Sequence, residues 1–228
     1  MTQSDPRILS VNAGRAVPTA HSDVGVTGID KRPVDGPVLV TAPGPGKGAS
    51  GLAGDSICDY RHHGGDDQAV YAYAREDLDL WQAELGRPLR DGAFGENLTT
   101  AGLDLTGAVI GERWHVGDTL LEVCHVRIPC RTFAGWLDER RWVRRFTERG
   151  LSGAYLRVVR PGTVSAGAPV EVVTRPGHGV TVAVVFRALT TEPELLPRLL
   201  EAGALAATAR DRALRRAHAD DTGTRGDR

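Results

Sequence analysis

The chain has 228 residues, enough for one large domain with a substantial hydrophobic core. Its 28 Lys and Arg are offset by 29 Asp and Glu, which excludes global charge as a means of holding nucleic acid or an anionic membrane, so any anion site must be local. No apolar run approaches a membrane span, and the three cysteines (Cys58, Cys124, Cys130) form neither a Cys-x-x-Cys pair nor an even disulfide set, so a cytoplasmic protein is expected.

Arg7 to Val17 and Val24 to Ile29 read as short strands, followed by the basic pair Lys31-Arg32, a Pro/Gly turn and the Val-rich run Val38 to Val40. Ala42 to Gly54 is rich in glycine and reads as loop, and His63-Gly64-Gly65 beyond it allows positive φ and close backbone approach. Adjacent histidines at 62 and 63 diverge on any regular element, which argues against a metal pair there. From Asp67, the spacing of Val70, Ala74, Leu78, Trp81 and Leu85 predicts a helix ending at Gly86. Phe94-Gly95-Glu96-Asn97-Leu98 precedes a second β-like region at Leu103 to Ile110, with Asn97 suited to a ligand contact or to its own turn. Gly117-Asp118 between two strand-like runs marks a hairpin.

The strand from Thr119 to Ile128 must end at Pro129, which has no N–H for a ladder, so Cys130 emerges at the strand end. Arg127 and Arg131 provide the positive surroundings that favour a thiolate. Helices are expected around Phe133 to Leu137 and Trp142 to Gly150, then strands at Tyr155 to Val164 and Pro169 to Val173. The arginines at 139–149 suit a salt-bridged surface or an acidic docking partner. Many short strands with Gly/Pro turns favour a barrel or sandwich, followed by a Leu/Ala/Arg-rich helical end. Three thiols are too few for an ordinary iron-sulfur cluster, so the electrons of any redox reaction would come from another protein.

Taken together, Lys31-Arg32-Pro33-Val34, His63-Gly64-Gly65 with Gln68-Ala69-Val70, Phe94-Gly95-Glu96-Asn97-Leu98 and Pro129-Cys130 resemble the MOSC domain family, closest to its YiiM-like branch. The resemblance implies a mainly β fold: a MOSC-type β-barrel with peripheral helices over residues 1–175, a small helical extension over 176–218 and a disordered tail over 219–228. It also implies a molybdenum cofactor (Mo-molybdopterin) with Cys130 as metal ligand and catalytic residue, and Lys31, Arg32, His63, Gly64, Gly65, Asn97 and Arg127 around the pterin and its phosphate. The activity so implied is reduction of N-hydroxylated compounds such as purine bases, with electrons from an external ferredoxin, flavoprotein or reductase and no nucleic acid or membrane partner. Three other readings use the same residues: a sulfur carrier with Cys130 as persulfide, a binding module built on 139–149, and a cysteine hydrolase needing His178.

Overall fold

The computed structural model describes residues 5–44 and 48–225. Its strands are β1 (Arg7–Gly14), β2 (Val17–Pro18), β3 (Val26–Thr27), β4 (Lys31–Pro33), β5 (Val38–Val40), β6 (Val70–Ala74), β7 (Leu98–Ala101), β8 (Arg113–Val116), β9 (Thr119–Val126), β10 (Ala154–Arg160), β11 (Gly162–Val164) and β12 (Val170–Thr174). The helices are α1 (Arg75–Leu85), α2 (Arg131–Leu137), α3 (Trp142–Arg149), α4 (Val182–Thr190) and α5 (Ala207–Arg225), with 3-10 turns at Asp66–Gln68 and Pro193–Glu201.

Eight strands form one sheet in the order β12-β8-β9-β10-β6-β7-β1-β4, antiparallel except for β6 against β7. The ladder has two ends, so the barrel expected from the sequence is not closed among the described residues, and the fold is a mixed, sheet-rich one with several helices. Backbone hydrogen bonds nonetheless draw the start of β1 toward the approach to β12, with Ile8 N to Ala168 O at 2.9 Å and Gly167 N to Ile8 O at 2.7 Å.

Val70 to Ala74 is a strand, not the first turns of a helix, and all five residues are buried. Continuous apolar and aromatic residues suit a central strand covered on both faces, and the i, i+4 match of Val70 to Ala74 is a by-product of that run. The helix begins at Arg75 and buries Leu78 and Trp81. Leu103 to Ile110 contains no strand beyond a single bridge from Val109 to Thr181. The hairpin is as read, with Val116 opposite Thr119. Trp81, Phe94, Phe133, Trp142 and Phe146 form an aromatic cluster with ring centroids 4.6–6.3 Å apart, and it seats α1, α2 and α3 on the sheet. The arginines of α3 are used in ion pairs: Arg144 with Glu148, and Arg145 and Arg149 with Glu84. No helix is long and apolar enough to cross a membrane among the described residues. α5 extends to Arg225, into the segment expected to lack structure.

Candidate functional site at Cys130

β9 is buried along seven of its eight positions between β8 and β10, then Arg127 to Pro129 carry the chain off the sheet. Cys130, extended at φ −133° and ψ 173°, is the last residue before α2 and is partly exposed. The two arginines near it separate. Arg131 points outward to Asp23 at 3.5 Å, whereas Arg127 is 7% exposed, with its guanidinium 4.2 Å from the Phe133 ring centroid and 5.2 Å from that of Tyr71. The Arg127 Nε is buried with no hydrogen-bond partner, and the guanidinium forms no ion pair among those of the described residues. Of the other thiols, Cys124 is fully buried and burial pushes it well above the ordinary range, while burial and then Asp55 raise Cys58.

In β4 the pleat turns Lys31 inward and Arg32 outward. The Lys31 ammonium is ion-paired to Asp55, whose side chain is fully buried. Asp55 also accepts from Gly14 N at 2.9 Å, Ser50 Oγ at 2.7 Å and Asn97 Nδ2 at 3.0 Å. Burial lowers the Lys31 pKa, and the Asp55 charge opposes that shift. Gly14 has to be glycine for this arrangement: a Cβ there would stand 2.2 Å from Gly28 O. The Asn97 carboxamide is spent on the fold, its Oδ1 accepting from Tyr71 N at 3.1 Å and its Nδ2 donating to Asn12 O at 3.3 Å as well as to Asp55. Glu96 beside it is fully buried and accepts from Gly92 N, Phe94 N and Thr99 Oγ1, which shapes the loop carrying Asn97.

Gly64 and Gly65 have φ of +83° and +79°, and a Cβ on Gly64 would lie 2.7 Å from Ala49 O. They lead into the 3-10 turn, where Asp67 is gripped from behind. Its Oδ1 accepts from Arg157 Nε at 2.7 Å and its Oδ2 from Ala207 N, the first residue of α5, also at 2.7 Å. Arg157 in turn donates to Ala204 O at 2.8 Å. The C-terminal extension thus fastens the turn that presents Gln68.

These elements form a cleft whose walls include Lys31, Cys58, His63, Gly64, Gln68, Tyr71, Asn97, Arg127, Cys130 and Tyr155. A second, outer hollow is lined by His21, His62, His63 and His125 and shares His63, Gln68, Cys130, Thr132 and Tyr155 with the first. Cys130 stands where the two meet. Among the residues singled out from sequence, Lys31, His63, Gly64, Asn97, Arg127 and Cys130 come together, and Gly65 lies one residue behind Gly64. Arg32 does not join them; it is exposed and paired with Asp30 at 3.0 Å. His178, the histidine that the cysteine-hydrolase reading called on, is bound to Ile110 O at 3.0 Å, away from these walls. Sequence reasoning missed Asp55, Gln68 and Tyr155. An acidic residue closing a glycine-rich loop was the one visible sign of Asp55.

The model of the MOSC domain matches residues 59–171. The Bacillus subtilis protein YflK is 33% identical over 183 residues, covering 80% of each chain. The chain belongs to the MOSC domain family. Among solved structures, YiiM from Geobacillus stearothermophilus superposes with a TM-score of 0.75 at 29% identity, over 92% of this chain and 98% of that one. A Gibberella moniliformis protein named a reductase is 32% identical over 174 residues, which cover 74% of this MOSC protein and 29% of the fungal one.

Proposed function

We propose that this MOSC protein is a molybdenum-cofactor-dependent reductase of N-hydroxylated compounds, with Cys130 as the protein ligand to molybdenum. One observation carries the reading: a partly exposed thiol shares a cleft with a buried guanidinium that has no carboxylate partner. A soft thiolate suits molybdenum, and an uncompensated buried cation is costly unless an anionic group comes to it, as a pterin phosphate would. The residues present therefore fit the cofactor, with Arg127 the principal phosphate partner. Lys31, already matched by Asp55, adds a smaller attraction, and Arg32 adds none. His63 and Gly64 line the same cleft and would flank the pterin.

The bound cofactor would supply a two-electron centre for breaking an N–O bond. The net reaction takes R–NH–OH with two electrons and two protons to R–NH₂ and water. The electrons come from an external donor protein. His63 and His125 line the outer hollow beside Cys130, and an imidazole can both take up and release a proton, which suits them to deliver the protons. The name of the Gibberella relative supports the same reaction type. The test is the molybdenum content of protein made in a cofactor-competent host, wild type against Cys130→Ser, followed by reduction of N6-hydroxyadenine with an artificial donor. Wild-type protein that holds molybdenum and turns over, with both lost in the variant, is the expected result. Protein that loads sulfur on Cys130 but never holds molybdenum would replace this reading with the carrier.

A further inference from the structure

We propose that Gln68 selects the substrate, its carboxamide pairing with the donor–acceptor edge of a planar nitrogen heterocycle whose ring lies against Tyr155. This inference deepens the reductase reading and rests on it for the identity of the substrate class.

Two carboxamides line the cleft, and they differ in what remains unpaired on them. Asn97 has its oxygen and its amide nitrogen committed to Tyr71 N, Asn12 O and Asp55. The Gln68 Oε1 is buried and has no hydrogen-bond partner, although buried polar atoms are nearly always paired. Gln68 also lies where the inner cleft meets the outer hollow, together with Cys130 and Tyr155. Thr132, at the same junction, already donates to His21 O at 3.1 Å.

A carboxamide offers one acceptor and two donors in a plane, the complement of an edge bearing an exocyclic N–H beside a ring nitrogen. Tyr155 is 9% exposed and rests against Tyr71 at 4.9 Å between centroids, a supported aromatic wall of the kind on which bases stack. The grip of Arg157 and Ala207 on Asp67 fixes the turn that carries Gln68, so the backbone from which the amide projects is held before the ligand arrives.

Isothermal titration calorimetry with N6-hydroxyadenine and with purine, which lacks the exocyclic nitrogen, tests this without reference to molybdenum. Wild-type protein is expected to favour N6-hydroxyadenine by about tenfold or more, and Gln68→Met to bind the two within about threefold. Gln68→Leu, of similar size and with neither acceptor nor donor, serves the same comparison should the Met variant melt early. A preference that survives both substitutions, or that is absent from the wild type, overturns the role of Gln68. Preference lost on substitution in a protein that never carries molybdenum would leave Gln68 standing and remove the reductase.

Discussion

Replacing Asp55 by Ala would leave Lys31, a residue only 5% exposed, without its ion-pair partner, and would take an acceptor from Gly14 N, Ser50 Oγ and Asn97 Nδ2. Breaking one side of a buried pair costs about 3–5 kcal/mol, a large share of the roughly 5–15 kcal/mol that stabilises a typical domain. For a chain of this size the melting temperature should fall by about 6–20 °C. Urea unfolding checks it, with the midpoint moving and the slope constant. Lys31→Met/Asp55→Ala should recover most of the loss, because no buried charge then remains. The pH dependence has a definite sign. Burial holds Lys31 below its ordinary 10.5, and loss of Asp55 lowers it further. Between the folded and unfolded pKa the unfolded chain binds the proton more tightly, so the variant gains stability as pH rises and its deficit narrows from neutrality toward 10.5. A loss under about 1 kcal/mol at neutral pH, or a double variant no better than the single, would refute the claim that Asp55 compensates a buried cation.

Asp77 is pushed up to about 6 by burial and by Glu76 and Asp104, so the folded chain keeps a proton that the unfolded chain releases, and stability falls as pH rises from 3.8 to about 6. Asp77→Asn should be more stable than wild type above that window by about 1–2 kcal/mol, allowing for partial solvent screening, and equal to it in acid; urea midpoints on either side decide. Gly64→Ala combines a φ of +83° with a Cβ 2.7 Å from Ala49 O, so it should cost at least about 1–3 kcal/mol and lower cofactor content, read by melting and metal analysis. Asp67→Ala should lose amide-exchange protection at both the 3-10 turn and the start of α5, and a loss confined to one of them would show that the two are not coupled.

Local chemistry made some of this legible in advance. Pro129 signalled a strand end before Cys130, although β9 stops at Val126 and not at Ile128; Gly117-Asp118 set the hairpin, and Gly150 closed α3 with φ +74°. Where a signal was local but ambiguous, the structure decided. Val70 to Ala74 fits helical spacing and a buried strand equally, and pairing with β7 and β10 made it a strand. Lys31 and Arg32 are alike in sequence; only the register of a three-residue strand, too short to display alternation, sent one inward. Asp55 and Gln68 were hidden for another reason. Asp55 meets partners 24, 41 and 42 residues away, and the exposed or buried state of one amide oxygen depends on everything packed around it.

The bond from Ala207 N to Asp67 spans 140 positions of the chain, and translation places those positions in order. A nascent polypeptide holds Cys130, Lys31 and Arg127 long before Ala207 leaves the ribosome, yet the turn bearing Gln68 is not fastened until then. Chains terminated before Ala207 would carry the residues proposed to hold the cofactor and would lack the bond that fastens the turn bearing Gln68.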